Sequence, residues 1–192
     1  MAVRKKTKKL QTYIALLRGI NVGGNCIIKM SDLKTLLEKI GFENVVTYIN
    51  SGNVVFQAAP QDSHELEIKL EKVLAETYSF RPKVMIRNFK QMETLVKNIP
   101  KDWDGGKDRR FNVLFLKKAI DSKDILEGLN PKAKIEEIVY KPGVLFWSAQ
   151  TSDLTKTTMI KLSSQKIYQE MTIRNWNTTR KVFELMSAMP GN

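Results

Sequence analysis

The residues best suited to chemistry lie in Leu16-Leu17-Arg18-Gly19-Ile20-Asn21-Val22-Gly23-Gly24-Asn25, where an apolar run gives way to three glycines with an arginine and an asparagine among them. Glycine reaches positive φ without strain and lets a ligand or another backbone approach closely. Arg18 carries a planar fork of donors suited to phosphate or carboxylate, and the exposed N–H groups of such a turn can form an anion nest. The spacing is neither G-x-G-x-x-G nor G-x-x-x-x-G-K-[ST], so it carries no dinucleotide or Walker fingerprint. Two readings stay open for this loop: an anion cradle, or a sharp strand-to-helix crossover whose glycines only make the turn.

Other chemistries are narrowed by what the chain lacks. A single cysteine, Cys26, and a single histidine, His64, rule out an internal disulfide framework and a His/Cys zinc cluster, so neither a metal nor a cofactor is expected. A serine triad would have to use His64, which sits in the polar, helix-opening stretch Asp62-Ser63-His64-Glu65 and reads as a surface histidine. Cys26 beside the glycine loop is either a nucleophile or a small residue tucked under a turn.

The chain has 192 residues, with 32 basic against 20 acidic side chains and a formal charge of +12. That charge is segregated. Residues 1–31 hold seven basic residues and no acid, 32–80 four against eight, 81–118 eleven against four, and 155–192 six against two. Basic blocks of this kind attract phosphate backbones or acidic surfaces; the alternative is a generally high isoelectric point with a solubilising tail. The charged N-terminus is followed by no apolar run of signal-peptide or membrane-span length. A cytoplasmic protein, monomeric and without a membrane partner, is the expectation.

The elements that must position these residues follow from hydrophobic period and turn chemistry. Residues 1–11 read as a disordered basic arm. Tyr13 to Leu17 is a strand buried on both faces, and a helix capped by Ser31 and stopped by Gly41 follows the glycine loop. Val45 to Ile49 and Val54 to Gln57 form a hairpin around Asn50-Ser51-Gly52-Asn53. A second helix opens at Asp62, and Lys83 to Arg87 is a strand, so 12–88 reads β-α-β-β-α-β, the ferredoxin-like order. A connecting helix over 89–99 and a linker from Pro100 to Arg109 fill 89–109. The order recurs over 110–192: strands at Phe111 to Leu116, Ile135 to Tyr140, Val144 to Ala149 and Met171 to Arg174, helices at Ser122 to Leu129 and Thr155 to Glu170, and a final helix at Thr178 to Met189 capped by Asn177. The fold class is α+β, two tandem ferredoxin-like subdomains with a C-terminal helix. The halves share topology with no residue-level repeat. Alternating apolar residues on both faces of the first strand predict that each half covers the other's sheet, leaving no open face for stacked bases.

Three stretches, Leu16 to Gly24 with Lys29-Met30 beyond it, Thr47-Tyr48-Ile49-Asn50-Ser51-Gly52-Asn53-Val54-Val55-Phe56, and Thr172-Ile173-Arg174-Asn175-Trp176-Asn177-Thr178, resemble the bacterial family called domain of unknown function 1697 over roughly residues 12–186. The resemblance implies tandem ferredoxin-like subdomains and no characterised activity. The candidate ligand residues within these stretches are Arg18, Gly19, Asn21, Gly23, Gly24, Lys29, Tyr48, Ser51, Gly52, Asn53, Arg174, Asn175, Asn177 and Thr178. No Asp, Glu or His is among them, which favours holding an anion over hydrolysis. Asn177 at a helix start, between Arg174 and Arg180, is a second anion-ready element; alternatively Arg174 to Asn177 fasten the last helix to the first half, with Trp176 as core. The leading expectation is a protein that binds a phosphate-bearing ligand, nucleic acid or a phosphorylated small molecule such as a nucleotide, in a cleft between the Arg18 loop, the Ser51-Gly52 hairpin and the Arg174–Thr178 turn. The rivals are an enzyme acting on a small anion, with Tyr48 or Lys29 moving a proton, and a structural or partner-binding module.

Overall fold

The computed structural model describes residues 9–101, 103 and 108–191. The first half runs β1 (Gln11–Arg18), α1 (Met30–Lys39), β2 (Glu43–Tyr48), β3 (Asn53–Ala58), α2 (Ser63–Thr77), β4 (Lys83–Asn88) and α3 (Phe89–Lys97). The second runs β5 (Arg109–Leu116), α4 (Ile125–Leu129), β6 (Glu136–Lys141), β7 (Val144–Gln150), α5 (Met159–Leu162), β8 (Met171–Asn175) and α6 (Trp176–Ser187). The strands form two four-stranded sheets, ordered β2-β3-β1-β4 and β6-β7-β5-β8, with every neighbour antiparallel. These are two tandem ferredoxin-like units, each followed by a helix.

Three apolar clusters hold the layers. Tyr13, Ala15 and Leu17 of β1 pack under α1 and α2, whereas Ile14 and Leu16 on the opposite face meet Val113, Phe115 and Phe146 of the second sheet. Helices α3 and α6 complete that middle layer through Met92, Leu95, Val182 and Met186, and Phe89 stacks on Phe183 at 5.6 Å. The third cluster, with Leu114, Leu145 and Trp147, lies on the outer face of the second sheet. Each half therefore covers the other's sheet, and Tyr13 and Phe56 are fully buried core residues. Among the described residues no helix is long and apolar enough to cross a membrane.

Local chemistry moves several expected boundaries. Helix α1 starts at Met30 with Lys29 as its cap, and Ser31 inside it turns its hydroxyl to Asp32. Asn175, not Asn177, caps α6, its side chain accepting from the Thr178 N–H at 2.7 Å. The helix expected over 155–170 is broken into two 3₁₀ turns around the four-residue α5, because buried Glu136 pins the Thr158 N–H at 2.9 Å and Ser163-Ser164 favour local turns. The helix expected from Ser122 shortens to Ile125–Leu129. Strand β1 already begins at Gln11, and the rest of the expected basic arm, residues 1–8, lies outside the described residues, as do Gly105 and Gly106 of the expected linker. Trp103 within that linker is buried against Phe111, Phe146 and Trp176.

The halves also share residues, contrary to the expectation that only topology repeats. Ile86-Arg87-Asn88-Phe89 and Ile173-Arg174-Asn175-Trp176 each end the last strand of a unit and start the helix that follows it, with Asn88 and Asn175 as side-chain caps. Arg87 pairs with Ile14 as Arg174 pairs with Val113, and Leu17 donates to Gly52 as Leu116 donates to Gly143. The two hairpin glycines are nevertheless crowded differently. A Cβ on Gly52, at φ +73°, would stand 2.7 Å from Leu17 Cβ and 2.8 Å from Ile20 Cδ1; on Gly143, at φ +86°, it would meet only Arg87 side-chain atoms, from 3.6 Å. Gly52→Ala should therefore cost about 2–4 kcal/mol and Gly143→Ala about 1–2 kcal/mol, a difference that urea denaturation midpoints of the two variants would reveal.

Candidate functional site

The three family-like stretches do converge, and they bond chiefly to one another. Arg174 is 8% exposed on β8 and its guanidinium enters between the end of β1 and the β2–β3 hairpin. Its Nε donates to Asn53 Oδ1 at 2.6 Å, Nη1 to Thr172 Oγ1 and Ile173 O at 2.9 Å each, and Nη2 to Leu17 O at 2.7 Å and Ser51 O at 2.8 Å. All five N–H donors are thus engaged by protein acceptors. No carboxylate faces the group among the described residues, and burial pulls its pKa down from 12.5 to about 10, which still leaves it charged at neutral pH. Asn53 is fully buried and returns its amide to Tyr48 O and Ser51 Oγ at 3.0 Å each. Tyr48 packs on the middle core.

The glycine loop is held by Asn21 rather than opened by it. Its Nδ2 donates to Ile28 O at 2.9 Å and Asn50 O at 2.8 Å, and its Oδ1 accepts from the Ile28 N–H at 2.8 Å, so the loop is clasped to the hairpin. Gly19, Gly23 and Gly24 all take positive φ with open space around them. Ile49 in the hairpin also takes φ +48°, an unusual state for a β-branched residue. Arg18 reaches the second half, its Cζ 4.5 Å over the Tyr168 ring. Lys29, Asn175 and Asn177 are exposed, Thr178 is buried, and Asn175 is committed to the helix cap.

The pseudo-equivalent joint around Arg87 is built otherwise. Its Nη1 donates to Ile86 O at 2.8 Å and its Nη2 to Leu116 O at 2.5 Å and Gly143 O at 3.1 Å, repeating the Arg174 pattern in the opposite half. The residue matching Asn53 is Val144, which cannot accept, and among the described residues no acceptor faces Arg87 Nε. Beside it opens a cavity of about 610 Å³ between the halves, lined from the first half by His64, Glu67, Lys90 and Thr94 and from the second by Lys118, Asp121, Lys141 and Val144.

A buried charge cluster forms the cavity floor. Glu67, on the inward face of α2, accepts from the Ile86 N–H at 2.8 Å and pairs with Lys117 Nζ at 3.2 Å and Arg87 Nη1 at 3.7 Å. Lys117 also reaches Glu71 at 2.6 Å, and His64 Nδ1 lies 3.5 Å from Glu67 Oε2. Two carboxylates and two cations therefore cancel, while His64 is left with its ring half exposed at the rim. Burial lowers the Arg87 pKa, partly offset by Glu67 and Asp121. Asp121 accepts from Tyr140 OH and the Gly143 N–H, and Asp62 caps α2, so the lining acids are engaged by protein donors. Lys90, Lys118 and Lys141 have no carboxylate partner among the described residues.

Sequence reasoning missed this joint. His64 is exposed, as expected; Glu67 one helical turn on, an i,i+3 pair on one face, went unused in that reading. The repeated Ile-Arg-Asn-aromatic tetrad was the signal for Arg87. Among the described residues no group of His, Cys, Asp and Glu could hold a metal ion.

A tandem ferredoxin-like protein, joined by two crossed arginines with a polar cavity at one of them, is what fold and site define. The family described as protein of unknown function (DUF1697) matches residues 10–146, and the chain belongs to that family. Among solved structures the chain is similar to the conserved bacterial protein SP0830 from Streptococcus pneumoniae, with 29% identity over 93% of this chain and 99% of that one and a TM-score of 0.82. No curated protein matches the chain.

Arg174→Met should lower stability by about 3–5 kcal/mol, because it orphans Asn53 and two buried carbonyls. Arg18→Ala should cost about 1 kcal/mol, chiefly the stacking on Tyr168. Chemical denaturation of both variants measures the contrast.

Proposed function

We propose that the protein binds a small anionic ligand in the cavity between its halves, at the Arg87 joint. The observation that carries this reading is an imbalance of partners. Among the described residues Arg87 Nε and the ammonium groups of Lys90, Lys118 and Lys141 have no protein acceptor, whereas Asp62, Glu67 and Asp121 are already engaged. An anion entering there would meet donors without having to displace a carboxylate. The N-termini of α2 and α3 border the same space through Asp62 and Asn88, adding the positive ends of two helix dipoles. This differs in place from the Arg18–Arg174 cleft expected above, where every Arg174 donor is engaged by protein acceptors and Arg18 stacks on Tyr168 with its Nε unpaired. For that first joint the geometry supports an architectural role. A polymer-binding reading has less support, because both β-sheets are covered on both faces.

Sulfate, a dianion across the neutral range, provides the test. At about 100 times its dissociation constant it should add about 2.7 kcal/mol of stability, visible as a rise in melting temperature. The rise should be lost in Lys118→Ala combined with Lys141→Ala and kept in Arg18→Ala. Equal loss in both variants would reduce the effect to general charge screening and refute the cavity as the site.

A further inference from the structure

The geometry points to a small phosphomonoester without an aromatic ring as the ligand of this cavity, with His64 as its proton-linked contact; this rests on the anion-binding reading above. The first support is the state of the Arg87 fork. Both terminal nitrogens are spent on Ile86 O, Leu116 O and Gly143 O, so the parallel two-bond clamp that suits a planar carboxylate is unavailable. What remains is a single Nε–H and separate ammonium groups from two walls, point donors approaching from different directions. A tetrahedral phosphoryl group, with three oxygens to offer, accepts from such donors better than a flat carboxylate does. Three unpaired lysines also suit a dianion.

The second support is the lining. The cavity wall is aliphatic at Leu95, Leu116, Pro142 and Val144 and carries amides and a hydroxyl at Gln91, Asn98 and Thr94. No phenylalanine, tyrosine or tryptophan lines it, so the one ring a nucleobase would find is the small His64 imidazole at the rim. A polyol or aliphatic body fits both surfaces.

His64 provides the third. With Nδ1 directed to Glu67, its Nε2 is the ring nitrogen left for a ligand. The charged groups around it are Asp62 and Glu67 on its own helix, Arg87 on β4, Lys90 on α3, and Lys117, Lys118, Asp121 and Lys141 from the second half. Protonated, Nε2–H donates to a phosphoryl oxygen; neutral with the proton on Nδ1, Nε2 becomes an acceptor and repels the anion. The contribution of His64 therefore belongs to its protonated form alone.

Because His64 is the single histidine of the chain, its imidazole proton resonances can be followed without ambiguity. Glucose 6-phosphate, citrate and AMP would be titrated into wild type and His64→Gln, reading imidazole shifts by NMR and affinity by calorimetry. Comparing the two proteins at each pH cancels the ionisation of the ligand itself. Glucose 6-phosphate should move the His64 resonances. The wild type should bind it about tenfold more tightly than His64→Gln near pH 5.5 and about equally near pH 8.5. Lys141→Ala should weaken binding while leaving the pH dependence in place. Citrate or AMP binding as tightly as the sugar phosphate would overturn the ligand class and leave the cavity standing. Binding with silent His64 resonances would overturn the role of His64. No heat and no shift with any of the three would overturn this inference and the cavity reading together.

Discussion

A buried guanidinium must find an acceptor for each of five N–H groups, and Arg174 finds every one without a carboxylate. Its partners are backbone carbonyls, a hydroxyl and an amide oxygen, supplied by Leu17, Ser51 and Asn53 of the first half and by Thr172 and Ile173 of its own strand. Carbonyl oxygens are placed by the backbone, so this solution works only if β1 ends and the β2–β3 hairpin turns at fixed positions relative to β8. Gly52 allows Leu17 that approach, and Asn21 ties the neighbouring loop to the same hairpin. These residues are thus interlocked: each is needed because another is where it is.

The Arg87 joint shows what the same constraint permits when one partner changes. Repeated connectivity, a repeated Ile-Arg-Asn-aromatic tetrad and reciprocal arginine contacts make the chain a covalent counterpart of a two-fold dimer. In a true homodimer both joints would be identical. Here Asn53 on one side corresponds to Val144 on the other, and the loss of that acceptor leaves one arginine nitrogen free. The long helix α2 carries Glu67 and His64 to the Arg87 joint, whereas the corresponding stretch of the second half is broken into short turns that bring Tyr168 over Arg18 instead. One joint is closed by stacking and hydrogen bonds, and the other retains a cavity.

The architecture was legible because period and turn signals agree. Alternation in β1, Gly41 after α1, Asp62 before α2 and Pro142-Gly143 between β6 and β7 each state a local preference that tertiary packing did not overrule. Capping was harder to read. Asn175 and Asn177 are both competent caps, and the choice falls on Asn175 because the β5–β8 ladder extends to it. The stretch 155–170 failed because a buried carboxylate from β6, far away in sequence, captures its backbone. Residue types at the Arg174 joint pointed to anion chemistry, yet type does not reveal whether a donor is already occupied. The cavity was illegible for a related reason. His64 on α2, Arg87 on β4, Lys118 just after β5 and Lys141 at the end of β6 come from both units and meet only after these dock.

The net charge of the chain and the charge of the cavity play different physical parts. Exposed basic side chains spread over the surface raise the local concentration of any anion, but that field is screened beyond about 8 Å at physiological salt. It favours polymers and small ions alike, so +12 says little about which ligand is held. Selectivity requires donors that converge on one place and are not already neutralised. Glu67 and Glu71 meet that need indirectly. By cancelling Lys117 and Arg87 they keep the buried floor near neutral, while the unpaired lysines stand at the wall where a ligand would enter. Had those carboxylates faced the lysines instead, the cavity would be as closed to anions as the Arg174 joint, with the composition of the chain unchanged.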